Sequence, residues 1–364
     1  MTNREEEILD LLRKDPLISQ NELADILGIA RSSAAVHITN LIKKGCILGK
    51  GYILRDEAYV TVIGGTNMDI IGFPVKKLIA KDSNPGKVNI SMGGVGRNIA
   101  ENLVKLGLHT KLISAVGDDI YGSKILDEAR IIGLDMQDSL VLKGQQTSTY
   151  LAVLDEAGDM SVGIAHMDIF DNLSIDFIKN KNYIIDNSRL CIIDTNIPRE
   201  VIEYALTTNK KTNFFLDTVS TTKAMKVKDL IGYFHTIKPN KIEAEMLSGI
   251  VINSEEDLKR ASFYFLNKGV KQVLITLGEQ GVFYNDGINS KLVRSPKIEV
   301  VNATGAGDAF IAALAYSHYN QFDIDFSARF AMCASIVALS HENTINPNMS
   351  ANNVNSKMKE LNLI

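Results

Sequence analysis

The stretch VNATGAGDAF, Val301–Phe310, decides the fold class, because it joins a strand-like run to a helix-like run through a glycine turn. Before it, Lys297–Val301 (KIEVV) has the apolar alternation of a strand, and after it Ala309–Tyr316 (AFIAALAY) reads as the first turns of a buried helix. Gly305, Ala306 and Gly307 are small enough for their N–H groups to approach a phosphate, and the helix dipole adds partial positive charge there. Asp308 then needs a reason, since an acid beside an anion hole is repelled by a bound phosphate unless it takes a proton from an attacking group. The pairing points to an acceptor hydroxyl activated for phosphoryl transfer. A helix cap with a tight turn is the plainer alternative.

Working outward, the same strand–helix alternation runs back to Tyr59. Tyr59–Ile63, Lys111–Val116, Leu190–Asp194, Phe214–Asp217, Thr236–Lys238 and Val273–Thr276 read as short apolar strands. Ile99–Leu106, Glu200–Thr207, Lys241–Leu247 and Ser254–Asn267 have helical spacing. An α/β domain with a mostly parallel sheet covered on both faces is the natural assembly. Thr147–Leu154 and Met160–Ile164 break the pattern as a hairpin turning at Glu156–Asp159, too polar for a central sheet and suited to a small β lid.

Composition excludes several classes. With 364 residues and 45% apolar content the chain can bury a large core and is expected to hold one large domain, 57–364, and a smaller one, 1–56. A net charge of -4 gives no global field towards nucleic acid or anionic membrane. Cys46, Cys191 and Cys333 lack metal-ligand spacing and read as reduced thiols. No signal peptide or membrane-length apolar run is evident, so the expectation is a cytoplasmic protein without membrane contact.

In the smaller module, Ile8, Leu11 and Leu12 mark one helix face. Ser19 and Glu22 form a capping box for a second helix that Gly28 ends. Ser32–Lys44 gives a third helix with Val36, Ile38, Leu41 and Ile42 inward, and Gly45–Arg55 a hairpin turning at Gly49–Gly51. The run NELADILGIARSSAAVHITNLIKKG, Asn21–Gly45, resembles a winged helix-turn-helix module, which implies DNA as a partner of residues 1–56 through Arg31, Lys43, Lys44 and Lys50. Eight Lys and Arg against eight acids over 1–56 leave a docking or dimerisation module as the alternative.

GGVGRNIA, Gly93–Ala100, and NATGAGDAF, Asn302–Phe310, resemble the two signatures of the PfkB, or ribokinase-like, carbohydrate and nucleoside kinase family, over about Val60–Asn348. The resemblance implies a three-layer fold, ATP and Mg²⁺, with Asp308 as catalytic base and Gly305, Ala306 and Gly307 as the anion hole. Asn67 and Asp69 follow the first strand, where a short carboxylate can accept from two neighbouring sugar hydroxyls. Gly93 and Gly94 let the backbone approach a sugar ring, and Asn98 can both donate and accept at a hydroxyl. Asn240 and Glu243 in KPNKIEAE, Lys238–Glu245, fit the N-x-x-E motif of the family, Glu243 holding Mg²⁺ through water. TLGEQGVF, Thr276–Phe283, is similar to its nucleotide-binding turn, which implies Thr276 and Gly278 near the phosphates, and the adenine pocket is expected between the turn after the signature helix and Ala331–Asn346, with Asn343 as a base contact.

The family often has Asp where Asn302 stands, and that Asp helps hold a monovalent cation. A neutral Asn302 supplies less attraction, which leaves K⁺ activation open, with a carbonyl-lined site as the alternative. The fused N-terminal module, with TSTYLAVLDEAGDM at Thr147–Met160 and GIAHMDIFDNL at Gly163–Leu173, is similar to the pseudouridine kinases of this family. That similarity implies pseudouridine or a related nucleoside as substrate, with Thr149 and His166 as lid contacts, and a homodimer. A ribokinase, another nucleoside kinase, or a nucleoside-sensing transcription regulator on a kinase scaffold is the alternative.

Overall fold

The computed structural model describes residues 1–16, 18–48 and 58–363, and the chain divides into two compact units, Met1–Ala58 and Tyr59–Ile364. The smaller unit holds three helices, Asn3–Lys14, Gln20–Leu27 and Arg31–Lys43. Thr2 with Glu5 and Ser19 with Glu22 form reciprocal capping boxes, and Gly28 ends the second helix in the left-handed region. Ile8, Leu12, Leu23, Ile38 and Leu41 form its core.

Two expectations change here. The inward face of the third helix is Ala34, Ile38 and Leu41, at helical spacing, whereas Val36 and Ile42 are exposed. Lys44 is not free to grip DNA, because its ammonium lies 2.7 Å from the buried Glu5 carboxylate. That bond, with the Thr2 N–H, holds the Glu5 carboxyl down at about 2. The expected hairpin turn at Gly49–Gly51, and Lys50 with it, lies outside the described residues.

The larger unit contains strands β1 (Val60–Ile63), β2 (Asn67–Pro74), β3 (Gly86–Gly93), β4 (Thr110–Ile113), β5 (Ala115–Gly117), β6 (Leu140–Leu142), β7 (Thr149–Leu154), β8 (Met160–His166), β9 (Cys191–Asp194), β10 (Phe214–Asp217), β11 (Thr236–Ile237), β12 (Gln272–Thr276), β13 (Val282–Asn285) and β14 (Ser290–Val293). The main sheet has the order β14-β13-β12-β11-β10-β9-β1-β4, parallel from β4 through β12 and antiparallel at β13 and β14. Period-two alternation sends Val60, Val62, Ile192 and Phe215 into one apolar layer and Ile63, Ile193, Phe214 and Leu216 into the other. Helices Val95–Lys105, Ala306–Tyr319 and Ile324–Leu339 cover the first layer. Arg199–Thr208, Lys241–Ser248 and Glu255–Lys268 cover the second, completing a ribokinase-like three-layer α/β fold.

The expected hairpin is present as β7 and β8, but it is half of a four-stranded sheet, β3-β2-β7-β8, whose other half was not among the expected strands. Lys297–Val301 is not a strand. No neighbour offers it a ladder, and its alternation reflects only Ile298 packing inward while Val300 and Val301 stay exposed. The run Lys111–Val116 is broken at Ser114 into β4 and β5, which belong to different sheets.

Candidate active site

The carboxyl ends of the parallel strands lie side by side, the edge of an open α/β sheet at which ligands bind. Gly64 to Thr66 leave β1 there. Gly65 N–H donates to Asp194 Oδ2 at 2.8 Å, and a Cβ on Gly64 would lie 2.3 Å from the same oxygen. The turn continues into β2, where Asn67 Nδ2 donates to Asp69 Oδ1 at 2.6 Å. Burial raises the Asp69 carboxyl above its ordinary range, against that hydrogen bond and the charge of Arg97. Gly93 sits opposite Asn67 in the sheet, and a Cβ on it would lie 2.1 Å from Asp69 Oδ2. Only glycine leaves room for that carboxylate.

Gly94 caps the helix Val95–Lys105, which carries Asn98 one turn in. Asn98 Nδ2 donates to Asp308 Oδ2 at 2.8 Å, so the two glycine-rich motifs, 210 positions apart at this contact, meet in one hydrogen bond. Asn98 Oδ1 is buried with no partner. An unfilled acceptor beside a carboxylate is a costly arrangement in an empty protein, and a ligand hydroxyl would relieve it.

Asp308 stands in the first turn of the helix Ala306–Tyr319, after Gly305 at φ 83°, and no side chain caps that helix start. The N–H groups of Ala306 and Gly307 have no intrahelical acceptor and are available to an anion. A Cβ on Gly305 would fall 2.2 Å from the Thr344 carbonyl oxygen, so this turn packs against the segment 341–346. Burial, reinforced by the negative charges of Asp217 and Asp194, pushes Asp308 up to about 8, although Asn98 and Lys238 pull it down.

Asn302 ties this turn in place. Its Nδ2 donates to the Glu342 carbonyl at 2.7 Å and its Oδ1 accepts from Thr304 N–H at 2.9 Å. A carboxylate could not make the first of these bonds. Asn343, exposed, lies in the same segment, its N–H bonded to His341 Nδ1.

On the other flank, Asn240 and Glu243 close a capping box on the helix Lys241–Ser248. Asn240 N–H and the Thr218 hydroxyl both donate to Glu243 Oε2, at 2.8 and 2.6 Å, which leaves Oε1 for a water of a hydrated cation. This suits Mg²⁺, which keeps several waters and takes few carboxylates, although Glu243 in this arrangement serves first as a helix cap. Asn240 bridges to Thr276 at the end of β12, and Gly278 follows at φ 59° in a short turn.

Two lid residues do not join this cluster. Thr149 and His166 face each other across β7 and β8 in register with Met68, on the face opposite Asp69. Ser91 and Tyr150 are the residues in register with Asp69. The sequence reading also passed over Asp194, Asp217 and Lys238, which sit at the ends of β9, β10 and β11 beside Asp308. Burial is the main cause that raises Asp194 to about 6. Each follows an apolar run and closes it with one charge, a pattern that three successive parallel strands repeat.

A family model described as pfkB family carbohydrate kinase matches residues 57–351, and one described as winged helix-turn-helix DNA-binding matches 1–47. The chain is 37% identical over 354 residues to the "Uncharacterized sugar kinase YeiI" of Escherichia coli, covering 97% of this chain and 98% of that protein. It is 38% identical over 302 residues to the pseudouridine kinase of the same organism, covering 83% and 96%. A crystal structure from Clostridium perfringens, 43% identical, superposes with a TM-score of 0.78 over 84% of this chain and 97% of that one. Arabidopsis thaliana ribokinase, solved with ribose and ATP, shares the fold at 23% identity and a TM-score of 0.71, covering 83% and 99%. Among the described residues no helix is long and apolar enough to cross a membrane. The chain belongs to the pfkB family of carbohydrate kinases, a family of phosphotransferases, and carries a winged helix-turn-helix segment ahead of its kinase domain.

Proposed function

We propose that the protein transfers the γ-phosphoryl group of ATP to the 5′-hydroxyl of pseudouridine. The observation that carries this reading is the Asn98–Asp308 pair, with its buried, unfilled Asn98 Oδ1 next to a carboxyl whose affinity for protons is raised. An acceptor hydroxyl beside this pair could donate to the Asp308 carboxylate. Asp308 takes its proton as the oxygen forms a bond to the γ-phosphorus, the bond from that phosphorus to the bridging oxygen breaks, and the electron pair leaves with ADP. General-base help of this kind is worth roughly a hundred- to ten-thousandfold. The N–H groups of Ala306 and Gly307 stabilise the migrating phosphoryl group, each such donor being worth about 3 kcal/mol at a comparable oxyanion site. Bound Mg²⁺ would neutralise phosphate charge, and Glu243, through water, with Asn240 beside it, would hold it. Asp69, anchored by Asn67 over Gly93, accepts from the sugar hydroxyls, while Thr276 and Gly278 border the triphosphate.

Pseudouridine as the acceptor rests on the 38% identity to a pseudouridine kinase over nearly its whole length. The test is a coupled ADP-release assay over pseudouridine, uridine, inosine, adenosine and ribose. Pseudouridine should exceed every other acceptor at least tenfold in kcat/KM, and comparable efficiency on ribose or adenosine would reject the assignment. For the N-terminal unit the same reading gives DNA docking by the third helix with Arg31 and Lys43, Lys44 being committed to Glu5. So few phosphate contacts predict weak binding with a shallow salt slope, and DNA affinity unchanged between low and high salt would reject it.

A further inference from the structure

Lys238 follows β11 and is buried at the carboxyl edge of the sheet. Its ammonium lies 3.3 Å from Asp217 Oδ2 and 3.4 Å from where a Cβ on Gly307 would stand, so it faces the start of the helix that forms the anion hole. The contact with Asp217 is a long ion pair, and Asp217 Oδ2 is buried. A buried ammonium with a single carboxylate at 3.3 Å has donors left over for a second anion.

The two partners differ in freedom. Asp217 Oδ1 accepts the Val219 N–H at 2.8 Å, and Val219 adopts φ 59°, a backbone conformation that a β-branched residue occupies only under strain. That turn pins the carboxylate. Lys238 sits on a flexible four-carbon stem and is the member able to move. The Asp217 carboxylate balances the charge of the ammonium in this position. The ammonium therefore stands within reach of the same backbone amides that would receive a phosphate.

We propose that Lys238 is a catalytic residue that swings from Asp217 onto the phosphoryl group during transfer and returns to Asp217 when product leaves. It forms no covalent bond. It adds a whole charge where the helix start supplies a fractional one, and it favours the ionised form of Asp308. The proposal rests on the phosphotransfer reading above, whatever the acceptor.

The test uses the full chain with ATP and the best acceptor of the wild-type enzyme, in three variants: Lys238→Met, Lys238→Arg and, should the first not fold, Lys238→Gln. The Met variant should lose at least a hundredfold in kcat with its acceptor KM within about threefold, and the Arg variant should recover much of that loss. The groups facing Asp308 are Asp217, Asp194, Lys238 and Asn98, so removing the one cation should move the acid limb of the pH–rate profile upward. Arg should leave that limb in place. A Met variant within threefold of wild-type kcat, or an Arg variant as impaired as Met with neither limb displaced, overturns the proposal and leaves Lys238 a packing residue. A wild-type chain that phosphorylates no sugar or nucleoside instead overturns the functional reading itself.

Discussion

Replacing Asp308 with asparagine should make the protein inactive and, at alkaline pH, more stable. The substitution keeps the shape and allows Asn98 to donate to the new side-chain oxygen, so packing is preserved while the base is lost. Turnover should fall roughly a hundred- to ten-thousandfold. The stability gain follows from the raised carboxyl. A group that binds its proton more tightly in the folded chain than in the unfolded one adds no penalty below the ordinary carboxylate value. It penalises the fold increasingly as pH climbs from there to about 8, where the folded carboxyl ionises. Each pH unit in that window is worth about 1.4 kcal/mol in the ideal case, and relaxation around the site leaves a net of a few kcal/mol. At about 2–4 °C per kcal/mol for a domain of this order, the variant should melt several degrees above wild type at pH 8 and together with it near pH 4. Coupled ADP release and thermal unfolding across pH measure both effects. The wild-type rate should also decline below pH 8, as the base takes up a proton. Turnover of the variant within threefold of wild type, or a melting difference equal at both ends of the pH range, would refute the reasoning.

Gly93→Ala places a methyl 2.1 Å from Asp69 Oδ2 and should raise the acceptor KM at least tenfold while leaving the KM for ATP alone; equal changes in both would reject Asp69 as the sugar anchor. Gly305→Ala adds a side chain at φ 83° and 2.2 Å from the Thr344 carbonyl oxygen, so denaturant unfolding should show a loss of about 1–3 kcal/mol together with reduced turnover. Asn302→Asp removes the donor to the Glu342 carbonyl and sets a carboxylate against it, and the variant should be stimulated more by KCl relative to NaCl than wild type. Equal stimulation would show that the amide does not do a cation's work.

What the sequence disclosed depended on how local each signal was. Gly93, Asn98, Gly305 and Asp308 lie in short runs whose spacing alone demands a turn, a close approach or an anion, and the structure brings all four into one site. The lid was half legible: β7 and β8 are joined by a tight polar turn, whereas β2 and β3 are separated by the loop 75–85 and pair across it. Their partnership is a tertiary fact. KIEVV at Lys297–Val301 misled for the converse reason, since alternation reports one covered face and says nothing of a neighbouring ladder. On the third N-terminal helix, apolar character alone points Val36 and Ile42 inward, while the period that the fold obeys runs through Ala34, Ile38 and Leu41.

The charged carboxyl edge of the sheet was illegible for a deeper reason. Asp194, Asp217 and Lys238 each look like an ordinary end to a buried strand, and only the sheet order sets β9, β10 and β11 side by side so that their ends form one row. The row adds to what burial does to the proton affinity of Asp308. Two carboxylates and burial raise its affinity for a proton, and one lysine and one amide restrain that rise. Remove the lysine and the base stays protonated to higher pH; remove the carboxylates and it loses basicity. The proton affinity of Asp308 is thus set by burial together with neighbouring strand ends, and no single motif contains it.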